Sequence, residues 1–230
     1  MRFMWKVTNV DGIVAFALLG LTGVTGLVDA VSFLSLGHVF TANMTGNVVF
    51  LGFAMAGGPE VSAARSLTAL LAFLVGAMVG GKVFATAARA PMQLAVRLFG
   101  LEITLLAAAM FAAIGYQGGP SAAPASAYSI IAFTAVAMGM RNAAVRKLGV
   151  PDLTTTVLTL TITGLAADSS LAGGSNPRWE RRLGSILAMF AGAAVGTILV
   201  RRSVVAALAL GVTTTSVCSA LLLTVKNDRL

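Results

Sequence analysis

From Gly12 to Leu36 the chain carries one charged side chain, Asp29. That run exceeds the ~20 residues an α-helix needs to cross about 30 Å of hydrocarbon. In lipid every backbone polar group must be satisfied internally, which leaves the helix as the natural spanning form for such a run. Further apolar runs at 66–86, 94–116, 126–140, 183–200 and 203–224 bring the number of expected spans to six. Two others, 39–56 and 152–167, are shorter and more polar. Charged residues make up only 10% of the chain, against about 25% in soluble domains. The expected class is an all-α polytopic membrane protein forming a single membrane domain. Its first run follows Arg2 and Lys6 and is longer than a signal peptide's apolar region, so it is expected to be retained.

The net charge of +8 does not point to nucleic acid, because basic residues of a membrane protein gather on the cytoplasmic side. They also discriminate between topologies. If all eight runs cross with the amino terminus outside, eight of the sixteen Lys and Arg face the cytoplasm and there is no bias. If the two short runs dip in and return, the cytoplasm receives thirteen, and only Arg65, Arg201 and Arg202 stay out. The second arrangement is expected: six transmembrane helices, two re-entrant half-helix segments, and both termini cytoplasmic. The single cysteine, Cys218, excludes an internal disulfide and a thiolate metal site. No P-loop, HExxH, GxSxG or Cys/His cluster is present, so neither an enzyme nor a cofactor is expected.

The two short runs occupy matching places in two halves. GLVDAVSFLSLGHVFTANMTGN aligns with GMRNAAVRKLGVPDLTTTVLTLT after one insertion, setting Asp29 on Asn142, Thr41 on Thr155 and Thr45 on Thr159. RSLTALLAFLVGAMVG then aligns on RRLGSILAMFAGAAVG without gaps, matching Gly76 to Gly192 and Gly80 to Gly196. Residues 1–117 form the first repeat, 118–125 a connector and 126–230 the second. With three crossings each, the halves must be inverted, an inverted 3+3 internal repeat. Interrupted segments at corresponding positions of such halves are the best sequence pointer to a transporter site.

Non-helical backbone at membrane depth must be buried in protein or line a cavity. Residues 37–43 are expected to run inward as an extended piece, with a helix returning over 44–56. Pro151 and the β-branched Thr154, Thr155 and Thr156 suit the same role before a helix over 157–167. The amino ends of these helices carry unpaired N–H groups and a partial positive charge, which suits an anion or a carbonyl-rich solute. Candidate binding residues are Asp29, Thr41, Asn43, Thr45, Asn47, Arg141, Asn142, Thr154, Thr155, Thr156 and Thr159. Asp29 stands out because intramembrane acids mark relays and pathways; it could bind a proton, pair with Arg141 or cap a helix end. Glu102 is expected to snorkel or pair, and Asp11 to cap the first span. The glycines at 76, 80, 192 and 196 are expected to serve helix packing.

The stretch GLVDAVSFLSLGHVFTANMTGNVVFLG, together with MGMRNAAVRKLGVPDLTTTVLT, resembles the YoaK-like family of bacterial inner-membrane proteins. The resemblance covers nearly the whole chain and implies six spans and a bacterial inner-membrane location, but no substrate. Where that family shows Gln-Asn after Met-Gly, this chain has Arg141-Asn142, and Leu160 stands where glycine is frequent.

The leading expectation is a secondary transporter or facilitator of a small polar or anionic solute, its halves rocking about a midplane site. The alternative is a non-transporting scaffold or subunit that packs against other membrane proteins. Expected partners are membrane lipid and the solute; Gly-rich faces also permit a homodimer.

Overall fold

Among the described residues six long α-helices and two short ones follow the order the apolar runs prescribe. The computed structural model describes residues 10–58, 61–85, 91–116, 124–150, 152–153, 155 and 158–225. The long helices are α1 (Val10–Ser35), α3 (Ala63–Ala85), α4 (Pro91–Ala112), α5 (Pro124–Leu148), α7 (Trp179–Val200) and α8 (Val204–Leu223). All six are long and apolar enough to cross a bilayer. The short helices are α2 (Met44–Met55) and α6 (Leu158–Ala167), each within a residue of its expected bounds. Arg2, Lys6, Arg89, Lys226 and Arg229, which entered the charge reasoning, and Pro151, Thr154 and Thr156 lie outside the described residues.

α1 ends because Gly37 and His38 turn to φ of 81° and 56°. The Gly37 position has no room for a side chain, since a Cβ there would overlap the Arg65 guanidinium. The His38 amide reaches back to the Phe33 carbonyl at 3.1 Å, closing the helix with the left-handed glycine such ends favour. Asp11 lies in the first turn of α1, where a negative charge suits the helix dipole.

One boundary departs from expectation. The fifth run was expected to stop at 140, with Arg141 opening a cytoplasmic turn; instead α5 continues to Leu148 and Arg141 is fully buried within it. A guanidinium can sit there because a carboxylate on another helix meets it, and the charge that read as an exit from the membrane is an internal contact.

Glycine sets which helices touch. A methyl at Gly26 would overlap the Met189 carbonyl, and one at Gly192 the Gly23 carbonyl, so α1 and α7 press backbone against backbone. The same relation joins α3 to α5, through Gly76 against Val136 and Gly139 against Phe73. Gly80 and Gly196 likewise face Met140 and Leu27 at close range, as the packing role of these glycines requires. α1 pairs with α7 and α3 with α5, so each half gives a helix to the other. α2 packs on α3 and α6 on α7.

Two apolar clusters show which way the helices run. One gathers the last turns of α1 (Val24–Val31) and α4 (Leu106–Ala113) with the first turns of α5 (Ala127–Ile131) and α8 (Val204–Leu208). The other gathers the first turns of α1 and α4 with the last turns of α5 and α8. Hence α1 and α4 run one way and α5 and α8 the other. Gly23 meets Gly192 and Ala30 meets Gly196, so α7 runs with α1; Gly76 meets Val136 and Gly80 meets Ala143, so α3 runs with α5.

Candidate functional site

Asp29 lies six residues before the end of α1, about 9 Å down the helix at 1.5 Å per residue. The turn over 36–43 descends to that level. There the backbone N–H groups of Thr41 and Ala42 donate to one Asp29 carboxylate oxygen at 3.1 and 2.9 Å. The Asn43 side-chain amide donates to the other oxygen. Asn43 is the N-cap of α2 but makes no cap bond of its own, because its amide is engaged with Asp29. The partial positive charge of a helix amino end attracts an anion, and at α2 the chain supplies that anion itself. The expectation of an open anion site at this helix end is thereby corrected.

The rest of the TANMTGN stretch holds the turn. The Phe40 amide donates to Asn47 Oδ1 at 3.0 Å, and Asn47 Nδ2 donates back to the Phe40 carbonyl at 2.5 Å. Fully buried Asn47 thus replaces the partners that a non-helical segment lacks. Phe40 lies over Gly46, where a Cβ would collide with its ring, and stacks between Phe33 (5.1 Å) and Phe50 (5.8 Å). Thr45 is exposed on the outward face of α2 with Val48 and Val49. Thr41 is fully buried and its hydroxyl has no partner among the described residues.

A cavity of about 320 Å³ opens between α1, the turn and α7. Asp29, Phe33, Phe40, Asn43, Met189 and Thr197 supply its chemistry, and no Lys or Arg lines it among the described residues. It joins a helix of the first half to one of the second.

Arg141 is elsewhere. It donates to the Leu21 carbonyl at 2.7 Å and to the Thr25 hydroxyl at 3.2 Å, and pairs with Glu102. Thr215 lies 3.4 Å from the same guanidinium, so α1, α4, α5 and α8 meet at this residue. Both charges are fully buried. Glu102 was expected to snorkel or pair; it pairs, deep in the bundle. Glu102 Oε2 and Arg141 Nε remain without partners among the described residues, so the pair is only partly satisfied.

The second turn is built on different chemistry. Asp152, at a φ of 63°, accepts from Arg178 at 2.6 Å and from Arg182 at 3.1 Å. Arg182 also bonds Asp168 at 2.8 Å, and Ser185 donates to the Asp152 carbonyl at 3.2 Å. Partial burial raises the Asp152 carboxyl, but the hydrogen bonds and charges of Arg178 and Arg182 outweigh it and hold the group below its ordinary value. Thr155 is buried at a φ of 60°, a genuine outlier for a β-branched residue, and its hydroxyl also lacks a partner among the described residues. Asn142 donates to the Met138 carbonyl at 2.8 Å, and Thr159 is exposed. Thr154 and Thr156 lie outside the described residues.

The expected residues therefore fall into separate groups. Asp29, Thr41, Asn43 and Asn47 come together, Arg141 joins Glu102, Asn142 lies within α5, Thr155 lies in the second turn and Thr159 is in the first turn of α6. Among the described residues α2 packs chiefly on α3 and α6 chiefly on α7, with no extensive packing of one short helix on the other. Phe33, Phe40 and Thr197 were not anticipated as cavity walls; Phe33 and Phe40 flank the turn between α1 and α2, but nothing in the sequence marks Thr197, whose helix comes from the other half.

The model of the family described as "Protein of unknown function (DUF1275)" matches residues 17–222. The chain is 37% identical over 146 residues to the UPF0700 transmembrane protein YoaK of Bacillus subtilis (strain 168), a match covering 63% of this chain and 62% of the relative. No solved structure matches the chain. Six bilayer-length helices and a transmembrane relative make this a multi-pass membrane protein. By the match over most of its length, the chain belongs to the DUF1275 family of proteins of unknown function.

Proposed function

We propose that the protein is a secondary transporter or facilitator of a small polar solute, and that its two halves form an inverted 3+3 repeat. The observation that carries this reading is the matched pair of turns. Each comes after a helix of opposite direction, contains a left-handed residue 114 positions from its counterpart (His38, Asp152), and buries a threonine whose hydroxyl has no partner among the described residues (Thr41, Thr155). Each leads into a helix too short to cross. Interrupted elements at corresponding places of opposed halves are the architecture secondary transporters use. The exchanged pairs α1–α7 and α3–α5 make those pairs, rather than the sequence halves, the bodies that would move. Charge supports an orientation with cytoplasmic termini: Arg65, Arg201 and Arg202 stand at the end where α1 finishes, and Lys82, Arg146, Lys147, Arg178, Arg181 and Arg182 at the other.

A scaffold role is the second reading, favoured by the centre of the bundle, where α4 and α8 pack together and the Arg141–Glu102 pair fills the interior. Flux separates the two. Proteoliposomes containing the purified chain, screened with a library of small polar metabolites on a solid-supported membrane, are expected to give a saturable signal for at least one. Folded protein that passes none of them would leave the scaffold reading in possession.

A further inference from the structure

Among the described residues, the fully buried carboxylate of Glu102 and the partly buried one of Asp152 are matched to arginines, and that of Asp29 is not. Glu102 faces Arg141, and Asp152 faces Arg178 and Arg182. Asp29 is only 6% exposed, yet its partners are backbone amides and a side-chain amide, all neutral, and no ion pair reaches it among the described residues. Buried charges are ordinarily paired, and an acid inside a membrane segment is costly enough to need a reason. We propose that the missing cation is the solute: the cavity beside Asp29 binds an organic monocation, an ammonium group on a short apolar body. This deepens the transport reading, on which it rests only for the movement of the bound cation across the membrane.

The cavity presents acceptors. The Asp29 carboxylate lines the cavity, and the neutral donors that hold it leave its charge in place for a cation. The Asn43 Nδ2 is engaged with Asp29, so what its amide offers the cavity is its carbonyl oxygen, an acceptor. Thr197 donates its hydroxyl proton to the Ala193 carbonyl at 2.8 Å and offers lone pairs alone. An ammonium group brings up to three donors to this set, whereas a carboxylate or phosphate would meet no donor. The stacked Phe33 and Phe40 rings add cation–π attraction, which reaches to about 6 Å from a ring. At about 320 Å³ the space lies at the small end of ligand pockets, roughly 300–1,000 Å³, which limits the apolar body to a few carbons.

The test uses the full chain in lipid nanodiscs and three probes, propylammonium, butanol and propionate, with binding monitored by calorimetry and thermal shift. Propylammonium is expected to bind and to raise the melting temperature; butanol and propionate are not. Asp29→Asn is expected to weaken propylammonium at least tenfold, and Phe33→Leu and Thr197→Val severalfold, while Thr45→Ala on the outward face of α2 leaves it unchanged. Should Asp29→Asn fail to fold, the Phe33 and Thr197 variants decide. Tighter binding of propionate than of propylammonium, no binding of propylammonium, or binding unaltered by these substitutions overturns the proposal. Binding without flux in proteoliposomes keeps this site and removes transport; flux of an anion with no ammonium binding does the reverse.

Discussion

Asp29 and Glu102 are both carboxylates on long apolar helices, both nearly or fully buried, and they are stabilised by opposite means. Glu102 meets a guanidinium that ties four helices together. Asp29 meets neutral donors that bring a turn down onto its helix and leave its charge uncompensated beside a cavity. The first arrangement is closed off from the surface by four helices and serves the bundle. The second orders local backbone while keeping one face open, as a binding group must. A buried acid is therefore informative through its partners more than through its depth.

Breaking the first site should cost the most. Removing one member of a buried ion pair leaves an uncompensated charge and costs about 3–5 kcal/mol. Arg141→Met is expected to lose stability of that order in SDS titration, and Glu102→Leu added to it should recover much of the loss. If the single variants are neutral, the pair is not what holds α1, α4, α5 and α8 together.

The turn beside Asp29 comes next. Asn47→Ala strips the partners from the buried Phe40 N–H and C=O, at ~1–3 kcal/mol for each group left unsatisfied. Wild-type stability in that variant would show that the turn is fixed by other contacts. Asp29→Asn should cost less, ~1–2 kcal/mol, because an amide oxygen can still accept from Thr41 and Ala42 while the charge, and with it the desolvation penalty, is removed. The comparison is sharpened if this variant keeps its fold but loses ammonium binding.

The smallest effect belongs to Asp152. Its carboxyl is held below the ordinary value of 3.8, so its contribution is present above that value and is lost as pH falls through the lower, folded value. Arg178 is half exposed, so its arm of the clamp is worth at most about 1 kcal/mol and is weakened by salt. Arg178→Gln should therefore lower stability slightly at neutral pH and match the wild type once Asp152 is protonated. A difference between the two that persists once Asp152 is protonated would mean that the arginine acts through packing.

The long helices were legible because bilayer thickness dictates the length of an apolar run, and the bounds of α2 and α6 because polar and β-branched residues interrupt such runs. The end of α5 was not legible: Arg141 reads as an exit from the membrane unless its partner is known, and Glu102 lies 39 residues away on another helix. Helical period could have turned Thr45 outward, since it shares a face with the apolar Val48 and Val49 at i+3 and i+4. The cavity could not have been found by spacing, because Met189 and Thr197 reach it from α7 through the glycine contacts with α1. The occupied amino end of α2 was hidden for a similar reason: Asp29 is twelve and thirteen residues from the amides it accepts.

The measurement that bears most directly on the Asp29 cavity is the reactivity of a single cysteine, Asn43→Cys in a Cys218→Ala background, toward an impermeant maleimide added to either face of sealed vesicles. Modification from the face where α1 ends, slowed by saturating propylammonium, is the predicted result. A cysteine that reacts from neither face, or at a rate the ammonium does not change, would contradict a water-reachable, cation-binding cavity at this place.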